Sequence, residues 1–284
     1  MIRRFASLPL SLALAVLLLA PTRVTAQPAP AANGHVVRVQ GKAVYYEETG
    51  SGEPLVLLHH FGASAESWAD YVPLLAKRYR VLAVDLPGHG RSEAVDTGDY
   101  YFHANAARQL LGLLDALHLP SVRVIGASSG GMVALYMATQ APARVSAAVT
   151  IGSQLYISGA TRAFITSGGP DSANAESMRE YTALHGSAGA RRIARQFWNE
   201  RITYGDPMFT PDLLATISAR WLVVQGFDDR IVPASQAWEM AHGIKGARLW
   251  IIPDGGHLPH LNGKPDDFAA TWLGFLDGTM KPMP

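Results

Sequence analysis

Apolar and polar positions alternate loosely in two short runs near the start of the chain, 36–40 and 42–48, with Gly41 between them, and this predicts a hairpin. The pattern then changes. Residues 54–59 (Pro-Leu-Val-Leu-Leu-His) form an almost continuous apolar run, as expected of a strand covered on both faces. Similar runs return at 81–85, 122–126, 146–152, 221–226 and 247–252. Between them the spacing becomes helical. Residues 67–79, 130–140, 234–244 and 265–277 read as helices, and 103–118 sets Leu110, Leu111, Leu113, Leu114 and Leu117 on one side. Such alternation predicts an α/β fold with a mostly parallel, eight-stranded sheet flanked by helices on both faces. The rhythm breaks between 153 and 218, where no apolar strand run occurs and Ala, Arg, Ser and aromatic residues dominate. That stretch is too long for a simple crossover and reads as a helical cap inserted after the 146–152 strand.

The first 26 residues stand apart. Arg3 and Arg4 precede an apolar run from Leu8 to Ala20, and Val24-Thr25-Ala26 supplies small residues before Gln27. A membrane-spanning helix needs roughly 20 apolar residues. This run is shorter and contains Pro9, so 1–26 is expected to be a cleaved secretory signal rather than an anchor. The residues flanking the arginine pair match a twin-arginine signal poorly. Residues 27–34 read as a linker, and 35–152 with 219–284 as the core around the 153–218 cap. The expected location is exported, periplasmic or secreted, with no stable membrane insertion after cleavage. Losing Arg3, Arg4 and Arg23 would turn the formal charge of +1 into −2. That balance leaves no basic face for nucleic acid. Hydrophobic residues make up 48% and charged residues 17%, enough apolar material for a folded core. There are no cysteines, which excludes disulfides, a thiol nucleophile and Cys-ligated metal.

The central chemical signal is Val124-Ile125-Gly126-Ala127-Ser128-Ser129-Gly130-Gly131. A serine hydroxyl is a weak nucleophile that needs exposure, a base beside it and donors for the developing oxyanion. A sharp turn from strand to helix exposes it, and that turn requires small residues two before and two after. Gly126 and Gly130 satisfy this for Ser128. Ser129, framed by Ala127 and Gly131, is the rival, and Ser128 is preferred because Gly126 directly ends the apolar strand. No His–Glu–His spacing suggests a metal site, and acyl transfer through a serine implies no cofactor.

Further segments add to this signal: Leu57-Leu58-His59-His60-Phe61-Gly62, Asp85-Leu86-Pro87-Gly88-His89-Gly90-Arg91-Ser92, Gly226-Phe227-Asp228-Asp229-Arg230-Ile231-Val232-Pro233 and Gly255-Gly256-His257. With the Ser128 elbow, over about residues 40–278, the chain resembles the α/β-hydrolase superfamily in its compact, lidded serine-hydrolase branch. The resemblance implies a triad in the order Ser128, Asp229, His257, with His257 as base and Asp229, three residues after Gly226, holding the imidazole. Asp228 and Asp254 are the competing carboxylates. It also implies an oxyanion hole from the backbone N–H groups of Phe61 and Ser129. Among the other histidines, His89 is expected to be structural, His260 a neighbour of His257, and His103, His118, His185 and His242 surface or packing residues.

One departure stands out. Relatives usually carry His-Gly where this chain has His59-His60, so either the loop takes another path or His60 fits with strain. A tolerated variation is one reading, and an imidazole facing the acyl pocket is the other. Tyr156, Phe164, Phe197, Trp198 and Tyr204 fall in the cap, where they either wall a substrate pocket or anchor cap helices; His60, Tyr156, Phe164 and Trp198 are the substrate-binding candidates. Trp68 is expected in the core. The implied function is hydrolysis of a small carboxylic ester or lactone through an acyl-enzyme. The alternatives are a carbon–carbon bond hydrolase, an amidase-like or aminopeptidase-like enzyme and a cofactor-free perhydrolase. A binding protein on a hydrolase scaffold is the non-enzymatic alternative. Ser128 excludes the aspartate nucleophile used by dehalogenases and epoxide hydrolases of this fold.

Overall fold

A computed structural model describes residues 33–168 and 175–280; the expected leader, and the linker up to residue 32, lie outside them. The hairpin forms as β1 (Gly34–Val39) and β2 (Lys42–Thr49), turning through Gln40 and Gly41, both at positive φ. The continuous apolar runs become β3 (Pro54–Leu58), β4 (Arg80–Val84), β5 (Val122–Ala127), β6 (Val145–Ile151), β7 (Arg220–Gly226) and β8 (Arg248–Ile252). They assemble in the order β1-β2-β4-β3-β5-β6-β7-β8. β2 pairs antiparallel with β1 and β4, and every other pairing is parallel.

The helices are α1 (Val72–Leu75), α2 (His103–Ala116), α3 (Ser129–Gln140), α4 (Gly159–Gly168), α5 (Ala175–Asn199), α6 (Pro211–Ala215), α7 (Ala234–Gly243), α8 (Pro259–Asn262) and α9 (Pro265–Leu276). α2, α3 and α7 cover one face of the sheet, where Leu110, Val133 and Met240 pack on Val56, Leu58 and Val124. α1 and α9 cover the other, where Leu75, Trp272 and Phe275 meet Leu55, Leu57 and Ile125. Both faces of the central strands are therefore dry, which is why their sequences do not alternate. Trp68 is buried there.

The helix expected over 67–79 is a correction. The chain instead makes a 3-10 turn, Ala65–Trp68, and then the single-turn α1. Pro73 lacks the N–H that a continuing helix would use, so the helix has to restart around it. Between β6 and β7 lie α4, α5 and α6. α5 bends at Gly186, whose φ of 67° and ψ of 166° no helix accommodates. The bend lets His185 reach the loops after β3 and β4: its Nδ1 accepts from Gly90 N–H at 2.7 Å and its Nε2 donates to the Gly62 carbonyl at 2.8 Å. His185 thus ties this layer to the loop after β3. Among the described residues no helix is long and apolar enough to cross a membrane.

Candidate active site

β3 and β5 are adjacent, but the chain leaves β3 toward β4 on one side and reaches β5 on the other. The crevice beyond the carboxyl ends of strands at such a reversal is where open α/β sheets bind ligands. Phe61 follows β3 there, and Ser128 follows β5. Ser128 occupies φ 49° and ψ −115°, a rare conformation for a residue with a side chain. It is held by its N–H on the Ile151 carbonyl (2.7 Å) and by Gly131 and Met132 N–H groups on its own carbonyl (2.9 and 3.1 Å). The flanking glycines have a steric reason. A Cβ on Gly126 would press on the Gly130 backbone, and one on Gly130 would lie within 2.7 Å of the His59 carbonyl and against Leu58.

Gly130→Ala is accordingly expected to displace the elbow. We expect a loss of about 1–3 kcal/mol of stability from overpacking and about a hundredfold drop in activity from misplacement. Thermal unfolding and the rate of fluorophosphonate labelling measure the two effects, and an unaltered labelling rate would contradict the steric argument.

His257 Nε2 lies 3.0 Å from Ser128 Oγ, and His257 Nδ1 lies 2.8 Å from Asp229 Oδ2. Asp229 also accepts from the N–H groups of Ile231 (2.8 Å) and Val232 (2.9 Å) and from the Gln225 amide (2.8 Å). Burial pushes the Asp229 carboxyl up, but the bonds from His257, Val232 and Ile231 outweigh it and hold the group below its ordinary value. It is therefore a carboxylate that fixes Nδ1–H and leaves Nε2 facing the serine. Asp228 and Asp254 are exposed. Ser129 does not share the His257 base: its hydroxyl meets His103 Nε2 at 3.1 Å.

The loop after β3 is set by His59. This fully buried ring accepts from Leu86 N–H at 2.9 Å, which requires Nδ1 to donate to the His60 carbonyl at 2.7 Å. Of the two readings of the His59-His60 loop, strain at His60 is not what the structure has. Its backbone lies outside the positive-φ region, and the left-handed turn falls on Gly62 at φ 80°. Burial and the neighbouring rings of His59, His260 and His257 lower the His60 pKa to about 3, so its imidazole is neutral. Phe61 packs against His89 (4.9 Å), Tyr101 (5.5 Å) and Phe197 (5.8 Å). Ser129 opens α3, so its N–H belongs to the unpaired first turn of that helix.

These groups surround a cavity of about 160 Å³ that Ser128, His257, His60, Phe61 and Ser129 all line. Tyr181, Phe197, Glu200, Thr161 and Ile165 close it from the inserted helices. Three expected pocket residues do not reach it. The Tyr156 hydroxyl turns outward to Glu239 (3.2 Å), Phe164 is 40% exposed on α4, and Trp198 lies under the Arg201 guanidinium at 3.9 Å. Tyr204 is also exposed. Phe197, the neighbour of Trp198, faces inward because consecutive helical residues point about 100° apart.

The sequence reading missed a polar cluster beside the nucleophile. His103, expected on the surface or in packing, is fully buried, and its Nδ1 donates to Asp206 Oδ1 at 2.7 Å. Asp206 also caps α2, accepting from His103 N–H and Ala104 N–H at 3.0 Å each. Burial lowers the His103 pKa, but Asp206 more than compensates and the net shift is upward. Glu200 is 6% exposed, and burial drives its pKa up to about 7 despite His103 nearby. Among the described residues no group of three or more His, Asp or Glu is arranged to hold a metal.

Glu200 has a consequence for stability. An unfolded glutamate loses its proton near 4.5, whereas the folded one keeps it to about 7. Its contribution is full below 4.5 and is lost as pH rises toward 7, a total of about 3 kcal/mol. Glu200→Gln removes this slope. Urea unfolding from pH 4 to 8 should show the variant gaining on the parent by roughly that amount, whereas parallel curves would contradict the raised value.

The alpha/beta hydrolase family model matches residues 55–271. A 2-hydroxy-6-oxo-6-(2'-aminophenyl)hexa-2,4-dienoic acid hydrolase from Metapseudomonas resinovorans is 29% identical, over 84% of this chain and 89% of its own length. A solved serine hydrolase involved in carbazole degradation superposes with a TM-score of 0.71 at 28% identity, covering 86% of this chain and 98% of that one. An esterase from Rhodococcus sp. ECU1013 gives 0.69 at 25% identity, with 86% and 98% covered.

Proposed function

This chain belongs to the alpha/beta hydrolase family, and from that membership we propose that it is a serine hydrolase of small carboxylic esters or lactones that carry no free acid group. The observation that carries this reading is the hydrogen-bonded line from Asp229 through His257 to Ser128, which ends in the 160 Å³ cavity. Ser128 Oγ attacks the carbonyl carbon as His257 Nε2 takes its proton. The oxyanion faces the N–H groups of Phe61 and Ser129. His257 returns the proton to the leaving alkoxide, leaving an acyl-enzyme. A water then gives its proton to His257 and attacks, and the acid departs as Ser128 is reprotonated.

The walls bear on the substrate. The cavity is smaller than the roughly 300 Å³ at which pockets for drug-sized ligands begin, which favours short acyl groups. None of its described lining residues is Lys or Arg, and one is the buried Glu200. A carboxylate substrate would enter without a counter-charge.

Carbon–carbon bond hydrolysis is the second reading, supported by the dienoic acid hydrolase among the relatives. The acid in that relative's substrate fits poorly with a cavity whose described lining includes no Lys or Arg. Amide hydrolysis and perhydrolysis need the same serine and share its test. A panel of short p-nitrophenyl esters, lactones, amides, peracid formation and vinylogous diketo acids, run beside Ser128→Ala, separates these readings. Turnover of diketo acids alone would remove the ester reading. Folded protein that takes up no fluorophosphonate would favour a binding protein.

A further inference from the structure

Glu200 is the acid that the triad does not use. It opens the 3-10 turn Glu200–Ile202 that follows α5, at the cavity wall, and its Oε1 is buried without a hydrogen-bond partner among the described residues. The nearest candidate partner is already committed. His103 gives Nδ1 to Asp206 and uses Nε2 on the Ser129 hydroxyl, so both ring nitrogens are occupied. Asp206 accepts from three N–H groups of α2 and His103. Of the other inserted-helix residues on the cavity, Ile165 and Phe197 offer no donor, Tyr181 carries a hydroxyl, and Thr161 Oγ1 is turned to the Ile231 carbonyl at 2.8 Å. A buried carboxyl oxygen without a partner costs about 1–3 kcal/mol or more. A donor that enters the cavity competes for Glu200 with the hydroxyl of Tyr181, which lines the same wall, and with that of Tyr101, which is buried without a partner among the described residues.

We propose that Glu200 determines substrate specificity by accepting a hydrogen bond from a donor carried by the substrate away from the scissile carbonyl, so that short esters bearing a hydroxyl or an amino group are preferred to plain alkyl esters. The selectivity comes mainly from rejection: an apolar group placed against Glu200 leaves the carboxyl oxygen unsatisfied and dry, whereas a donor satisfies it. The proposal rests on the ester reading for its chemistry but not for its binding step.

The test compares substrates of equal shape. For a donor on the acyl side, these are the p-nitrophenyl esters of 3-methylbutyrate, 3-hydroxybutyrate and 3-aminobutyrate. For one on the alcohol side, they are propyl and 2-hydroxyethyl butyrate. The enzyme should favour the donor-bearing member of at least one set by about tenfold or more in kcat/KM, and the hydroxyl and amino arms show whether the donor is neutral or cationic. Glu200→Leu should bring that ratio close to one, mainly by improving the apolar ester. Glu200→Gln keeps an acceptor oxygen and should retain a preference. Glu200→Met serves in place of Leu if that variant misfolds. Competition of the matching N,N-dimethyl amides against fluorophosphonate labelling of Ser128 reads the same preference as binding, so failure of ester turnover and failure of the Glu200 assignment are scored separately. No preference in the parent enzyme by either readout, or an unchanged preference in Glu200→Leu, overturns the proposal.

Discussion

Ser128→Ala is expected to lower ester turnover by about 10⁴–10⁶-fold while leaving the fold intact. The serine hydroxyl supplies the nucleophile, and no other group is placed to replace it. Ser129 stands next in the chain, but its hydroxyl meets His103, whose pKa is raised by Asp206. An imidazole that holds its proton more tightly is a poorer acceptor for a second serine. His257→Ala should cost a similar factor, and Ser128→Ala/His257→Ala little more than either alone, because the two act as one unit. Asp229→Asn should be milder yet still severe, about 10⁴-fold, since the amide fails to hold Nδ1–H toward itself. Burst kinetics with a p-nitrophenyl ester, with fluorophosphonate labelling as a second readout, measure all four. Wild-type turnover in Ser128→Ala would refute the nucleophile assignment outright. The alanine keeps the strained φ of 49°, so Ser128→Gly should be more stable than Ser128→Ala by about 1 kcal/mol.

Asp85→Ala should cause the largest loss of stability, about 3–5 kcal/mol. Asp85 is fully buried just beyond β4 and accepts from Ala65 N–H at 2.7 Å, Arg91 N–H at 2.8 Å and Arg91 Nε at 3.1 Å. Removing the carboxylate strands all three donors in a dry site. Arg91 keeps contacts of 3.2 Å to Glu47 and 3.5 Å to Glu66, but its backbone N–H and that of Ala65 have no substitute. The damage should reach catalysis as well. Ala65 lies just beyond the Phe61 turn, and Leu86, next to Asp85, donates to the His59 ring that sets that turn. Asp85→Asn keeps one acceptor oxygen and should lose less. Urea unfolding midpoints rank the three proteins, and a loss under about 1 kcal/mol in Asp85→Ala would show that water replaces the carboxylate.

The Asp85 segment illustrates what was readable beforehand. Pro87-Gly88-His89-Gly90-Arg91-Ser92 was expected to be structural from its resemblance; its Arg91 donors hold Asp85 behind the site, and Gly90 N–H reaches His185 on α5. The strands were legible because burial on both faces leaves continuous apolar runs that few other elements produce. The residues around Ser128 were legible because the turn there excludes a Cβ at Gly126 and Gly130, and sterics of that kind act on residue type directly. Asp229 and His257 were named by the resemblance, and the structure brings both into line with Ser128. Their separation in the chain is large, but each loop is local and follows its strand within a few residues.

The cavity wall was not legible. α4 and α5 are amphipathic in ordinary ways, and which aromatic faces inward depends on where the Gly186 bend aims the second half of α5. Phe197 lines the site and Trp198 does not, a difference that composition does not register. His103 begins a helix whose leucine pattern accounts for it fully, and Asp206 reaches it from 103 residues away. Glu200 is an unremarkable acid until folding encloses it. The sequence alone therefore determined the sheet and the tight turn around Ser128, because backbone sterics and strand burial act over a few neighbouring residues. Only the tertiary structure decided the shape of the cavity and the protonation of what lines it, because desolvation and charge depend on groups that the chain brings together from far apart.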